Sequence, residues 1–203
     1  MKSVKDWENH WNSKGSIENP IEINGYCIGG KPISDELYYQ AVIHPTIVLL
    51  ELEPHHHVLD IGCGSGMFLR EIEKKVKRCV GTDISQTLLK GYSGLCETIV
   101  CAADALPFNK DEFDRILMYS VAHYFPSFDY FRKVVSDGLR FLRKEGIFVI
   151  GDLPFGIHDH YYYYDKHELM ELLDSLNHPY TVAVQNNLKR KINRRYDIII
   201  YKD

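Results

Sequence analysis

The sequence predicts an α/β fold built on a doubly wound sheet of mostly parallel strands. Three observations support this prediction. Strand and helix patterns alternate along the chain from residue 56. A glycine-rich turn follows the first of these strands, and two apolar strand patterns separated by a short basic turn close the chain. The closing pair predicts a hairpin that adds one antiparallel strand near the edge of the sheet.

The length of 203 residues suits a single domain. We divide it into an N-terminal helical cap or lid, residues 1–55, and a core, residues 56–203. Apolar residues make up 45% of the chain and charged residues 26%, which is typical of a soluble globular protein. No apolar run reaches the ~18–20 residues that a membrane span needs, and the N-terminus lacks the apolar stretch of a signal peptide. We therefore predict a cytoplasmic protein without a membrane partner.

Cysteine content and charge narrow the class further. The five cysteines form no CxxC pair, and in a reducing compartment we expect them to be small buried thiols. The formal net charge of −4 argues against a general nucleic-acid binder. The charge is uneven, however, because residues 189–203 hold six basic residues against two acidic ones.

Within the core, continuous apolar runs predict buried strands, and apolar stripes at helical spacing predict the helices between them. The predicted parallel strands are residues 56–61, 77–84, 97–103, 113–121 and 147–153. The predicted helices are residues 67–76, 85–94 and 127–144, and Gly146 is expected to stop the last of them. Asp165 and Glu168 form a capping-box pattern before a helix over residues 166–176. The closing strands are residues 180–185 and 196–202.

The cap shows a different pattern. Trp7 and Trp11 lie four residues apart and so share one face of a short helix. Residues 34–53 predict a helix that is bent or broken near His44–Pro45, because proline lacks the amide hydrogen that a helix interior uses. The histidine run at residues 55–57 leads into the first core strand at the edge away from the expected site, and we interpret it as structural.

The turn after the first core strand predicts a nucleotide-binding site. Gly62, Gly64 and Gly66 permit a tight turn and a close approach of a ligand to the backbone. Asp83 ends the second strand about twenty residues on, where a carboxylate can hold ribose hydroxyls. The spacing G-x-G-x-G differs from the dinucleotide pattern G-x-G-x-x-G, and the Lys-Ser/Thr of a Walker loop is missing from this turn. A nicotinamide enzyme and a Walker-type nucleotide site are therefore disfavoured.

Five segments in order, "VLDIGCGSG", "GTDIS", "AADALPF", "FDRILMYSVAHYF" and "LRKEGIFVI", resemble the class I S-adenosylmethionine-dependent methyltransferases over about residues 56–153. The resemblance implies a Rossmann-like seven-stranded sheet, S-adenosyl-L-methionine as cofactor and S-adenosyl-L-homocysteine as product. The small size and layout look similar to small-molecule enzymes that methylate phosphate or phosphonate oxygens.

The resemblance also implies roles for individual residues. Asp60 and the glycine loop would hold the methionine part of the cofactor, Asp83 would accept hydrogen bonds from the ribose, and Ile84 would pack on the adenine. Asp104 would lie at the adenine amino edge. The implied cofactor-binding residues are Asp60, Gly62, Cys63, Gly64, Gly66, Asp83, Ile84, Asp104, Ala105 and Tyr119, with Ser120 beside Tyr119 near the methyl group.

The sequence indicates the residues that bind the methyl acceptor less specifically than those that bind the cofactor. His123 follows the fourth strand at the carboxyl edge of the sheet, where ligands bind, and is a candidate base or acceptor-positioning group. Tyr26 lies in an N-terminal loop that such enzymes fold over the site, and Trp7 and Trp11 serve this lid or anchor it. His158 and His160 lack a third ligand at suitable spacing, so we predict no metal.

The basic turn between the two closing strands, residues 189–195, is the most specific indication of the methyl acceptor. Lys189, Arg190 and Arg194 can hold a phosphate, phosphonate or carboxylate. We therefore expect methyl transfer to an oxygen of a small anionic metabolite by a monomer or homodimer, with His123 and Tyr26 as catalytic candidates. A sugar hydroxyl, carboxylate or amine acceptor and a non-catalytic cofactor-binding protein remain alternatives. The chain reads "YSVAHY" after the fourth strand instead of the N/D-P-P-Y/F of nucleic-acid methyltransferases, so we predict no nucleic-acid partner.

Overall fold

The computed structural model describes residues 2–14, 27–28, 31–154, 164–185 and 195–203. Its core is a mixed sheet of seven strands, ordered β5-β4-β3-β6-β7-β9-β8. These strands are β3 (His57–Ile61), β4 (Arg78–Asp83), β5 (Glu97–Val100), β6 (Phe113–Tyr119), β7 (Leu142–Pro154), β8 (Tyr180–Val184) and β9 (Arg195–Tyr201). Two short strands, β1 (Cys27–Ile28) and β2 (Lys31–Pro32), pair with each other outside this sheet.

The strand directions confirm the predicted architecture. Strands β3 to β7 pair in parallel, whereas β9 runs antiparallel to both β7 and β8. The chain builds outward from β3 to β5 on one side and then crosses to β6 on the other. The point where the strand order reverses therefore lies between β3 and β6, and ligands of open α/β sheets bind at the carboxyl ends of strands at such a point.

Helices and turns connect the strands. The helices are α1 (Val4–Lys14), α2 (Asp35–Tyr38), α3 (His44–Leu49), α4 (Leu69–Ile72), α5 (Gln86–Leu89), α6 (Phe128–Phe141) and α7 (Lys166–Ser175). Asp165 caps α7, and its side chain accepts from the backbone N–H groups of His167 and Glu168, as the capping-box pattern predicts. Within the described ranges, every helix is too short or too polar to cross a bilayer.

The helix predicted around Pro45 changes its hydrogen-bonding pattern in the expected place. A π-helical turn, Tyr39–Ile43, separates α2 from α3 immediately before His44 and Pro45. Beyond α3, the buried Leu50 presents its carbonyl oxygen to Arg115 Nε of β6 at 2.7 Å. This contact anchors the end of the cap on the core.

Three predicted helices have wrong ends. The helices predicted over residues 67–76 and 85–94 contract to α4 and α5, and the flanking residues form turns. The helix predicted to stop at Gly146 already ends at Phe141, because Leu142 is extended and pairs with Phe113 as the first residue of β7. Pairing with the sheet thus overrides local helix propensity at this junction.

The prediction that the cysteines are thiols is wrong for one pair. Cys79 and Cys96 form a disulfide. The register that places Val80 opposite Glu97 brings Cys79 of β4 beside Cys96, the residue immediately before β5. Their spacing of 17 residues carries no such signal in the sequence, because only strand pairing brings them together. Cys63 and Cys101 are free thiols, the first buried and the second partly buried.

Candidate active site

A cleft opens at the carboxyl ends of β3, β4 and β6, where the strand order reverses. Its wall includes five of the residues predicted to bind a cofactor, Gly62, Gly64, Asp83, Ile84 and Tyr119. The other five predicted residues do not line it, Asp60, Cys63, Gly66, Asp104 and Ala105. The cleft thus brings together half of the residues predicted to bind the cofactor.

The turn between β3 and α4 depends on glycine for its shape. Gly62, Gly64 and Gly66 have φ values of +75°, +56° and +77°, a region that favours glycine. A Cβ atom on Gly62 would lie 2.3 Å from Val121 Cγ2, whereas a Cβ on Gly64 would meet nothing within 4 Å. The space beside Gly64 is therefore open to a ligand that approaches the backbone closely.

Asp83 is held by two backbone amides that point its carboxylate toward this turn. Gly64 N donates to Asp83 Oδ2 at 2.9 Å, and Ser85 N donates to Asp83 Oδ1 at 2.8 Å. Burial raises the pKa of the Asp83 carboxyl, and these N–H groups oppose that rise. Each carboxylate oxygen has a second lone pair, so Asp83 can accept two vicinal hydroxyls while both amides stay in place.

Asp60 lies beneath the glycine turn as a buried carboxyl group. Its Oδ2 atom has no hydrogen-bond partner among the residues that the structure describes. Burial, followed by the negative charge of Asp83, raises the pKa of Asp60 to about 8. An orphaned acidic oxygen beside an open glycine turn fits a ligand that brings a hydrogen-bond donor or a positive charge.

The raised pKa of Asp60 predicts a measurable dependence of stability on pH. The folded chain retains a proton on Asp60 between about pH 4 and pH 8, whereas the unfolded chain has released it. Asp60 therefore costs stability increasingly as the pH rises through this window. We expect Asp60→Asn, which imitates the protonated acid, to gain about 1 kcal/mol per pH unit over the wild type between pH 5 and pH 8.

Urea unfolding of both chains at several pH values measures this difference. Asp129→Asn is a suitable control, since Asp129 is exposed on the first turn of α6. Parallel pH profiles for the wild type and Asp60→Asn would contradict the protonated state of Asp60.

The segment after β5 places different residues on the wall from those that the sequence indicates. Cys101 and Ala103 line the cleft, while Ala105 is exposed outside it. Asp104 accepts a 2.8 Å hydrogen bond from Tyr130 Oη of α6, and Tyr130 itself lines the cleft. Asp104 is therefore connected to the cleft through Tyr130. The sequence motifs did not indicate Tyr130.

The end of β6 carries the two residues that are predicted to lie near the methyl group. Tyr119 and Ser120 both line the cleft, and Ser120 has a φ of +61°. Ser120 N donates to the carbonyl of Gly151 in β7 at 3.0 Å, which fixes this turn to the neighbouring strand. Burial raises the pKa of the Tyr119 phenol well above its ordinary value, followed by the negative charges of Asp152 and Asp197. Tyr119 is therefore a neutral hydroxyl at working pH.

His123 lies in a 3₁₀ turn, Ala122–Tyr124, directly after β6. It is buried, and its ring centroid lies 4.1 Å from that of Tyr124. Tyr124 lines the cleft, and His123 does not. The sequence motif "AHYF" led to the prediction that His123 borders the site. Among the described residues, the neighbouring Tyr124 forms the wall instead.

The cap supplies an aromatic part of the wall. Trp7 and Trp11 of α1 line the cleft, and their rings stand edge-on to Tyr124 at centroid distances of 4.7 and 5.1 Å. The four-residue spacing of the tryptophans was the signal for their shared face. Their partner Tyr124 could not be read from the sequence, since it comes from a distant part of the chain.

Several predicted acceptor residues lie outside the described residues. These are Tyr26, Lys189, Arg190 and Arg194, together with His158 and His160. The described ends of the basic turn meet each other, because Gln185 N donates to the carbonyl of Arg195 at 2.8 Å. Arg195 also forms a 3.1 Å ion pair with buried Asp152, near the carboxyl end of β7. The flanks of the basic turn therefore lie at the same edge of the sheet as the cleft.

One group of potential metal ligands lies away from the cleft, in the described loop before β3. Its members are Glu53, His55 and His56. Glu53 N donates to His56 Nδ1 at 3.0 Å, so this hydrogen bond occupies one of the two ring nitrogens of a buried histidine. The contact supports the structural interpretation of the histidine run.

Comparison with known proteins identifies related sequences and folds. Residues 59–150 match a family model described as a methyltransferase domain. An uncharacterized methyltransferase, YcgJ of Bacillus subtilis, is 30% identical over 110 residues, which cover 50% of this chain and 42% of that protein. The chain spans less than half the length of the first curated relatives that it matches.

Solved structures share the fold at low sequence identity. A magnesium protoporphyrin IX methyltransferase from Synechocystis with bound S-adenosylmethionine has a TM-score of 0.74 at 14% identity, over 100% of this chain and 98% of that one. A phosphoethanolamine N-methyltransferase from Haemonchus contortus, in complex with phosphoethanolamine and S-adenosylhomocysteine, has a TM-score of 0.77 at 12% identity, over 99% of this chain and 50% of that one. The predicted Rossmann-like fold is therefore confirmed.

Proposed function

We propose that this chain, which matches a family model described as a methyltransferase domain over residues 59–150, transfers the methyl group of S-adenosylmethionine to a small-molecule acceptor. The observation that carries the proposal is the pair of hydrogen bonds that orient Asp83 beside the open space at Gly64. A carboxylate held in this way suits a ribose with two free hydroxyls.

The described residues fit each part of the cofactor. Asp83 would hold the ribose, while Ile84 and Ala103 offer an apolar wall for the adenine. The glycine turn and Asp60 suit the methionine part, because its ammonium group is the donor that the orphaned oxygen of Asp60 lacks. When bound, S-adenosylmethionine supplies a sulfonium-activated methyl group.

The chain's own task is then to orient the acceptor and exclude water. Tyr119 and Ser120 border the expected position of the methyl group. The aromatic rings of α1 would cover it, which supports a role of residues 1–55 as a cap over the core. We propose Tyr26 as a group that positions the acceptor or accepts its proton. His123 is proposed as a residue that positions the acceptor indirectly, through the turn Ala122–Tyr124, since Tyr124 and not His123 lines the cleft.

For the acceptor we propose a small metabolite with a phosphate or phosphonate group, methylated on oxygen. Lys189, Arg190 and Arg194 supply the cationic contacts, and the flanks of their turn lie at the cleft edge of the sheet. An ionised phosphate oxygen needs little deprotonation, so orientation by these cations is the main contribution to catalysis.

A second candidate is methylation of an amine on a phosphate-bearing metabolite. The rings of Trp7, Trp11 and Tyr124 favour it, because aromatic faces attract cations such as the ammonium that forms when a neutral amine takes up the methyl group. The similarity in fold to the phosphoethanolamine N-methyltransferase agrees with an acceptor that bears both groups. A protein that binds the cofactor without catalysis is a further alternative.

A panel of phosphate, phosphonate, amine, sugar and carboxylate metabolites, incubated with the protein and S-adenosylmethionine, tests the proposal. Homocysteine release detects turnover once a hydrolase has cleaved the S-adenosylhomocysteine, and mass spectrometry locates the new methyl on oxygen or nitrogen. Cofactor binding without turnover of any compound would favour the non-catalytic alternative.

Neutralising the basic turn tests the anionic acceptor directly. With the best acceptor, we expect Lys189→Ala, Arg190→Ala and Arg194→Ala each to raise KM at least tenfold, since each removes a charged hydrogen bond worth about 1.5–3 kcal/mol. The affinity for S-adenosylhomocysteine should stay unchanged. Lys110→Ala, at an exposed lysine paired with Asp111, is the control. Unaltered acceptor kinetics in all three variants would remove the basic turn from the site.

A further inference from the structure

Helix α1 is fastened to the core by the side chain of Asn12. Asn12 Oδ1 accepts hydrogen bonds from Ser85 Oγ at 2.9 Å, from Thr87 Oγ1 at 3.1 Å and from Thr87 N at 3.2 Å. Asn12 is partly buried at this contact. One amide oxygen therefore receives three hydrogen bonds from a segment 73 to 75 residues away in the sequence.

The segment that Asn12 contacts also orients Asp83. Ser85 N donates to Asp83 Oδ1, and Ser85 Oγ accepts from Leu88 N at 3.2 Å as the cap of α5. Ser85 is fully buried between these groups. A chain of hydrogen bonds thus runs from α1 through Ser85 to the carboxylate that faces the cleft.

The same helix presents its aromatic residues to the cleft. Trp7 is 7% exposed and Trp11 is partly buried, and both line the wall next to Tyr124. Asn12 directly follows Trp11. The contact of Asn12 with Ser85 therefore links the helix that carries the tryptophan wall to the loop that orients Asp83.

We propose that Asn12 is a positioning residue that docks α1 over the bound cofactor and thereby slows its release. The proposal rests on the proposed function, since the ligand is the adenosyl cofactor. Undocking α1 removes the tryptophan wall and frees the loop that orients Asp83. A ligand held by Asp83 can then leave through the space that α1 had covered.

The acceptor-only role of Asn12 Oδ1 offers a precise test. Asn12→Ala removes all three hydrogen bonds. Asn12→Asp retains an oxygen that accepts the same three, so it should restore docking if the contact itself matters. Ser13→Ala is the matched control on the same helix, because Ser13 Oγ donates only to the carbonyl of His10 among the described contacts.

Tryptophan fluorescence reports directly on α1, since the two tryptophans of the chain are both on this helix. Stopped-flow mixing with S-adenosylhomocysteine gives the affinity and the dissociation rate. We expect Asn12→Ala to raise Kd about tenfold, mainly through faster dissociation. Asn12→Asp should stay within about threefold of the wild type and Ser13→Ala should match it.

The outcomes separate the two proposals. Wild-type kinetics in Asn12→Ala, or a loss in Asn12→Asp equal to that in Asn12→Ala, would overturn the role of Asn12 while leaving the proposed function intact. Failure of the wild-type chain to bind S-adenosylhomocysteine would overturn both. If Asn12→Ala does not fold, Thr87→Val tests the same contact from the core segment that Asn12 binds. It removes one of the three donors, and an unchanged dissociation rate would overturn the proposal.

Discussion

Replacing Asp83 with alanine is expected to weaken the binding of S-adenosylhomocysteine at least a hundredfold. The carboxylate is fixed by Gly64 N and Ser85 N, so no reorientation is needed to meet a ribose. Two hydrogen bonds to a charged acceptor are lost, each worth about 1.5–3 kcal/mol. Isothermal titration calorimetry of the wild type and the variant measures the difference.

The control for this experiment is Asp129→Ala, which removes an 85% exposed carboxylate from α6. It should bind like the wild type. Thermal unfolding of Asp83→Ala shows whether the loop has kept its fold after losing the acceptor for two amides. Undiminished binding by Asp83→Ala, or binding of NAD by the wild type, would contradict the assignment of the cleft to an adenosyl cofactor.

Replacing Gly66 with alanine is expected to lower the free energy of unfolding by about 2–5 kcal/mol. A Cβ at Gly66 would lie 2.2 Å from Tyr92 Cδ2 and 2.8 Å from Tyr92 Cγ. The ring cannot move aside easily, since Tyr92 Oη donates to the Glu73 carboxylate and accepts from Cys96 N. Overpacking costs about 1–3 kcal/mol, and the left-handed backbone at φ +77° adds about 1–2 kcal/mol.

Gly64→Ala is the matched control for Gly66→Ala. It has a positive φ of +56° as well, but its Cβ would meet nothing within 4 Å. Its cost should therefore be limited to about 1–2 kcal/mol of backbone strain. Urea unfolding resolves the difference, and equal losses in the two variants would show that contact with Tyr92 contributes nothing. Adding Tyr92→Leu to Gly66→Ala should recover part of the loss.

The sequence predicts the strands and the helices that alternate with them because that information is local. Buried strands appear as apolar runs, and helices appear as apolar stripes between them. Helix ends are harder to predict. The end of α6, for example, depends on the pairing of Leu142 with Phe113 of β6. The disulfide depends on strand register in the same way.

The cofactor half of the site could be predicted for a similar reason. The glycine turn and Asp83 follow directly from strands, so their place at the carboxyl edge is fixed by the order of the chain. The aromatic wall combines Trp7 and Trp11 with Tyr124, and the contact of Asn12 with Ser85 joins equally distant positions. Such contacts depend on how the cap packs on the core, which no local pattern in the sequence records.

The position of β9 has a consequence for aggregation. This strand follows β8 in the chain but lies between β8 and β7 in the sheet. Until β9 is inserted, the apolar strand β7, with Phe148 and Val149 in its centre, has an unpaired edge. An open apolar edge is a template for pairing with another chain. Variants that slow the insertion of β9 should therefore aggregate during refolding even where the native fold is unaffected.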